Sequence, residues 1–174
     1  MKQSLVEHYP SLRDMMPRNN PPVRWKDGWN IFRWPKVGSQ APDDHVVAHT
    51  NQPQTTLYIL MDETFQDPEK KLFVVLFGWS ECADVCPNMK LVADKLEKEF
   101  SQVNAFAITP YYDDLVYDPV HNVLWDPNLS AEKKYGATGT AMYVIDRDKT
   151  IVRKSSSMMY DALHLYLKSY LNLV

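Results

Sequence analysis

The stretch Leu72–Lys90, LFVVLFGWSECADVCPNMK, constrains this chain more than any other. Leu72 to Phe77 is a run of apolar and β-branched residues stopped by Gly78, the pattern of a buried strand. The only two cysteines, Cys82 and Cys86, follow at once, and Pro87 suits the first position of a helix, where its missing N–H costs nothing. Cys86 is then expected at the helix N-cap, facing unsatisfied amide donors and the positive end of the helix dipole, a setting that favours thiolate over thiol.

A chain of 174 residues, 45% apolar and 24% charged, can bury one sizeable core, so a single domain is expected. No apolar run approaches the roughly 20 residues of a membrane span. A net charge of -3, without a basic stripe interleaved with aromatics beyond the N-terminal segment, argues against nucleic acid as a partner. Two cysteines make no disulfide framework; at this spacing they point to catalytic, redox or metal chemistry. The opening MKQSLVEHYP lacks the apolar centre of a secretory signal and carries Glu7, so no targeting sequence is read there.

Residues 1–37 read as an extended arm, and residues 38–174 as the domain. Pro10, Pro17, Pro21, Pro22 and Pro35 break any long helix, while Trp25, Trp29, Phe32 and Trp34 crowd together beside Arg24, Lys26 and Arg33. A solvated tail is poor in aromatics. Trp and Arg dominate interface hot spots, so Trp25, Trp29 and Trp34 are expected to anchor a protein partner, the alternative being packing on the arm's own domain.

Val37-Gly38-Ser39-Gln40-Ala41-Pro42-Asp43 resembles the VGxxAPD opening of peroxiredoxin-type and TlpA-type members of the thioredoxin superfamily. Thr56–Met61 reads as a short strand and the following DETFQDPEKK as a polar connection. Asn88–Phe100 is an amphipathic helix with Met89, Val92, Ala93, Leu96 and Phe100 on one face and a Lys95–Glu99 pair on the other. Val103–Thr109 is the next strand, and with its predecessor makes a right-handed βαβ unit. Tyr111–Val123 reads as a surface loop, and Leu129–Tyr135 as a short helix stopped by Gly136. Ala141–Ile145 and Thr150–Lys154 flank a hairpin turn, and Met159, Ala162, Leu163, Tyr166, Leu167 and Tyr170 recur at helical spacing. This order predicts an α/β thioredoxin-like fold, a central mixed sheet flanked by helices.

Gly78 to Pro87, GWSECADVCP, resembles the G(F/Y)(T/S)xCPDVCP signature of the Sco/SenC family, thioredoxin-like copper proteins that help assemble cytochrome c oxidase. That resemblance implies Cu(I) held by Cys82 and Cys86, or a dithiol/disulfide couple between them, and a mitochondrial, membrane-complex setting. Chemistry suits the spacing: sulfurs four positions apart on a helical turn stand on one side, within reach of one soft cation or of each other.

Three departures matter. The family's copper-site histidine falls in a loop that here reads Gly136 to Met142, GATGTAM, with no histidine; of His8, His45, His49, His121 and His164, only His121, in the irregular loop, is a candidate substitute, and a solvated loop histidine is the simpler account. Thr140 stands where dithiol exchangers place a cis-proline, which argues against a general oxidoreductase though not against Sco. A peroxidase needs PxxxTxxC, and neither cysteine has it. Asp84 as an outer partner of a metal, Met158 and Met159 as soft ligands, and Asp113, Asp114 and Asp118 with His121 as a cation site all have plainer readings as helix-dipole, core and solvated residues.

Two functions are therefore expected. One is Sco-like Cu(I) binding or thiol-disulfide exchange at Cys82 and Cys86 in respiratory oxidase assembly. The other is a redox-inactive accessory subunit of a respiratory complex, docked by its arm.

Overall fold

A computed structural model describes residues 35–47, 54–77, 89–109, 122–137, 141–155 and 160–173. Their elements, in chain order, are β1 (His45–Val46), β2 (Thr55–Thr56), α1 (Leu57–Gln66), β3 (Leu72–Phe77), α2 (Met89–Glu99), β4 (Val103–Thr109), β5 (Val123–Trp125), α3 (Ser130–Tyr135), β6 (Ala141–Asp146), β7 (Ile151–Ser155) and α4 (Tyr160–Tyr170). The arm's residues 1–34, with Trp25, Trp29 and Trp34, lie outside the described residues.

β3 is the central strand of a five-stranded sheet ordered β5-β4-β3-β6-β7. It runs parallel to β4 and antiparallel to β6, so the sheet is mixed, as the hydrophobic pattern predicts. No residue of β3 is more than 2% exposed. Its side chains alternate between two cores. Phe73, Val75 and Phe77 join Leu57 and Met61 of α1, Ala131 and Tyr135 of α3, and Tyr143 and Ile145 of β6. Leu72, Val74 and Leu76 join Val92, Ala93 and Leu96 of α2, Leu163 and Leu167 of α4, and Met142 and Val144 of β6.

Of the segment Thr56–Met61, expected as a strand, Leu57–Met61 is helix and Thr56 is its extended N-cap. Its apolar run satisfied a strand pattern, but Leu57, Met61 and Thr64 are the buried positions, an i, i+4, i+7 spacing. Thr56 accepts a hydrogen bond from the Ile59 amide at 3.3 Å as N-cap. Asp43 accepts the Tyr58 amide at 2.9 Å, and the Asp44 carbonyl accepts that of Leu57 at 2.9 Å. The first half of the supposed polar connection, Asp62 to Gln66, is therefore the rest of α1. The loop expected through Val123 instead ends in β5, a three-residue strand parallel to β4.

Other expectations stand. α2 buries Met89, Val92, Ala93 and Leu96, with Phe100 just beyond its end, and carries the Lys95–Glu99 pair at 4.0 Å. Gly136 ends α3 at φ 63°, the left-handed position that favours glycine. β6 and β7 form the antiparallel hairpin, and Arg147 in its turn donates to the carbonyls of Lys70 at 3.0 Å and Pro68 at 3.2 Å, and to that of Phe65 near the end of α1. Of these, the Phe65 carbonyl lies in the last turn of α1, where a helix end leaves carbonyls without partners, and the other two lie in the turn beyond it.

The segment 38–47 forms a strap around the sheet. At one edge the Gly38 amide donates to the Ile151 carbonyl at 2.7 Å and the Ile151 amide to the Ser39 carbonyl at 2.9 Å. At the other edge Val47 and Trp125 exchange two backbone hydrogen bonds of 2.9 Å. Between them Ala41 and Val46 are buried against the α1 and α3 side of the sheet. Tyr58 donates its hydroxyl to the Ala41 carbonyl at 2.7 Å, and Tyr135 to that of Pro42 at 2.9 Å.

Leu76 is fully buried and Leu165 is 67% exposed on α4. Leu76→Ala is expected to cost about 2–5 kcal/mol, a buried cavity, and Leu165→Ala less than about 0.5 kcal/mol. Urea denaturation of the two variants reads both values.

Candidate functional site at the sheet's carboxyl end

Strand register brings the carboxyl ends of β3, β4 and β5 and the start of β6 to one end of the sheet. Phe77, the last residue of β3, pairs with Ile108 near the end of β4 and with Ala141 at the start of β6. Thr109 pairs with Trp125, and Met142 with Ser155. The cysteine segment leaves this end after Phe77, and α2 receives it at Met89. Residues 110–121 leave it after Thr109, and residues 138–140 precede Ala141 there. Open α/β sheets bind ligands outside the carboxyl ends of their parallel strands.

Cys82 and Cys86 themselves lie outside the described residues, as do Asp84, Asp113, Asp114, Asp118, His121, Thr140, Met158 and Met159. The described residues at this end are those around Phe77, the last residue before the cysteine segment. Phe77 packs against Tyr135 and Tyr143, with ring centroids 5.2 and 6.1 Å away, and the two tyrosine rings are 4.9 Å apart. The Tyr143 hydroxyl donates to the Tyr135 carbonyl. Helix α3, strand β6 and the end of β3 are thereby locked together by aromatic contact and by directed hydrogen bonds.

His121 is adjacent to Asn122, which is described and buried. The Asn122 side chain donates to Glu97 at 2.9 Å and Asp94 at 3.3 Å, and its carbonyl accepts the Ala107 amide at 2.7 Å. Asn122 is thus tied to the second half of α2, whereas the cysteines precede that helix. Of the remaining histidines in described segments, His45 is exposed on the strap and His164 lies 3.2 Å from Glu99 between α4 and α2. Among the described residues no three of His, Cys, Asp and Glu converge as a metal site.

A polar cluster at the same end escaped the sequence reading. Asp44 and Asp126 are buried, at 5% and 1% exposure, and meet at Ser130. The Ser130 hydroxyl lies 3.0 Å from Asp44 Oδ1 and 3.4 Å from Asp126 Oδ1. Asp126 also accepts the amides of Ser130 at 2.9 Å and Glu132 at 3.0 Å, capping α3, and its own amide donates to the Thr109 carbonyl at 2.9 Å. Lys134 Nζ stands 3.4 Å from Asp44 Oδ2. Burial pushes the Asp126 carboxyl above the ordinary aspartate range, against the pull of its amide donors. The sequence signal was Asp126 four residues ahead of Ser130 with Glu132 beyond, a capping pattern; the partner at Asp44 is far away in the chain.

No protein-family model matches the chain, and neither does any curated protein. Solved structures do. The chain is similar to Mycobacterium bovis AhpC, with a TM-score of 0.55 and 18% identity over 79% of this chain and 93% of that one. It is similar to a putative thiol:disulfide interchange protein DsbE from Chlorobium tepidum, with a TM-score of 0.55 and 18% identity over 78% and 97%. A thiol:disulfide interchange protein from Bacteroides sp. follows, with a TM-score of 0.54 and 16% identity over 79% and 91%. At these identities the likeness concerns the fold.

Burial raises the Tyr143 phenol to about 12, and that of Tyr135 further still. A phenol that holds its proton longer folded than unfolded makes stability fall as pH rises from about 10, the unfolded value, toward the folded one. Tyr143→Phe is expected to remove its share of that alkaline loss and, below pH 9, to cost about 1 kcal/mol for the lost hydrogen bond. Chemical denaturation at a series of pH values measures both effects. Sheet order, the two cores and the structural neighbours agree on one conclusion: this chain has the thioredoxin-like fold, of the type shared by peroxiredoxins and thiol:disulfide interchange proteins.

Proposed function

We propose that this is a thiol protein in which Cys82 and Cys86 work as a pair, taking up Cu(I) as Sco-like thiolates or cycling between dithiol and disulfide during assembly of a respiratory oxidase. The observation that supports this reading is where the CxxxC segment falls in the chain: it links Phe77, the last residue of the buried central strand, to Met89, the first described residue of α2. A two-sulfur donor set with no histidine in residues 136–142 suits Cu(I), which accepts low coordination, better than Cu(II). In the exchange reaction two thiols become one disulfide, and a partner's disulfide takes up the two electrons and two protons and becomes a dithiol. The setting this implies is mitochondrial and associated with a membrane complex; among the described residues no helix is long and apolar enough to cross a membrane.

The reduced protein is expected to bind Cu(I) at one equivalent, and the Cys82→Ser, Cys86→Ser double variant to bind none. Failure of the unmodified, fully reduced protein to take up Cu(I), together with failure to exchange with a model disulfide, overturns the reading.

A second reading rests on the arm and on the missing histidine: the domain is a redox-inactive accessory subunit that docks a respiratory complex through Trp25, Trp29 and Trp34. Removal of residues 1–37 removes part of the strap's approach as well, since Lys154 Nζ donates to the Pro35 carbonyl at 3.1 Å. A triple Trp→Ala variant is therefore the cleaner test. It is expected to lose co-purifying partners while keeping the fold, and equal recovery of partners would remove the docking role.

A further inference from the structure

The Asp44–Ser130–Asp126 cluster carries an inference independent of the cysteines. We propose that these two buried carboxyls share one proton through the Ser130 hydroxyl, and that loss of this proton loosens the corner where the strap, β5 and α3 meet.

Hydrogen-bond inventory supports it. Asp44 Oδ1 accepts the His45 amide at 2.7 Å and faces Ser130 Oγ at 3.0 Å. Asp126 Oδ1 faces the same Oγ at 3.4 Å. A hydroxyl has one proton to donate. With both carboxyls ionised it serves one of them, and the other points a charged oxygen at a lone pair. With one proton added, the chain closes: Asp126 donates to Ser130 Oγ, which donates to Asp44. Both Oδ1 atoms then have a hydrogen-bond partner, and Asp44 Oδ2 stands 3.4 Å from the Lys134 ammonium.

The surrounding charges favour this division. From α3, Lys134 faces Asp44 and is half exposed, whereas Glu132 is buried and adds no positive charge. From the strap come Asp43, which accepts the Tyr58 amide of α1, and the exposed His45. The phenols of Tyr58 and Tyr135 donate to strap carbonyls and offer nothing to the pair. Among the described residues one exposed ammonium faces two buried carboxyls, and an unpaired buried charge is costly enough that a group takes a proton instead.

The mechanical consequence follows from what the pair connects. Asp126 caps the start of α3, and Asp44 belongs to the strap. When the proton leaves, two like charges face each other across Ser130. Because the folded form holds this proton more tightly than the unfolded chain, stability falls as pH rises through the interval between the ordinary aspartate value and the raised one.

Carbon-13 NMR of the intact protein, labelled at aspartate carboxyls and titrated from about pH 4 to pH 9, tests the proposal. One carboxyl is expected to titrate above the rest, and the amides of Ser130 and Glu132 to move with the same midpoint. Asp126→Asn should remove that resonance. Ser130→Ala, which keeps both carboxyls and both amide caps, should lower its midpoint by about one unit, a tenfold change in proton affinity. Aspartates that all titrate together, a high midpoint that survives Asp126→Asn, or one untouched by Ser130→Ala would each overturn the shared proton; the last would leave simple burial as the cause.

Discussion

Burial of β3 on both faces is the constraint from which the remaining architecture follows. A strand whose six residues are all shielded from water needs two covers, since its side chains alternate in direction. α2 and α4 supply one, and α1, α3 and the strap the other. Each large apolar side chain buried this way contributes roughly 1.5–3 kcal/mol, and the contribution is non-directional. It selects a fold class with helices on both faces without specifying how their ends are held.

The ends are held by directional bonds, which explains the strap. A sheet covered on both faces still has two edges with unpaired backbone groups. Segment 38–47 meets β7 at one edge and β5 at the other, and Tyr58 and Tyr135 hold its carbonyls where it crosses. Arg147 does comparable service at the far end of α1. These contacts join residues distant in sequence, so each closes a long loop and orders several segments at once.

What could be read from the sequence divides along the same line. β3 was legible as an unbroken apolar run, α2, β4, the β6–β7 hairpin and α4 because each carries its own pattern, and Gly136 because a helix stop is local. α1 was misread because Leu57 to Met61 is apolar enough to pass for a strand; the Thr56 cap and the Leu57–Met61–Thr64 spacing were the stronger signals. β5 was missed because three residues carry no period. Neither the strap's two edge pairings nor the union of Asp44 with Asp126 has any local signature. The reading of Cys82 and Cys86 rests on residue type and spacing; the strand end it placed at Phe77 is the end of β3, and the helix start it placed at Cys86-Pro87 lies outside the described residues, α2 being described from Met89.

A division of labour between apolar and polar contacts at the sheet's carboxyl end completes the picture. α3 has only six residues and opens at Leu129, which offers no side-chain cap, so its first amides would be orphaned without Asp126. A carboxyl solves that problem at the expense of desolvation, and the Asp44–Ser130 contact compounds it. Phe77, Tyr135 and Tyr143 pin the other end of α3 through contacts that do not change protonation anywhere near neutral pH. Helix α3 is therefore fastened at one end by a group whose charge depends on its surroundings and at the other by groups whose charge does not. Any movement of this corner should pivot about the aromatic end, nearest Phe77, and leave β3 in place.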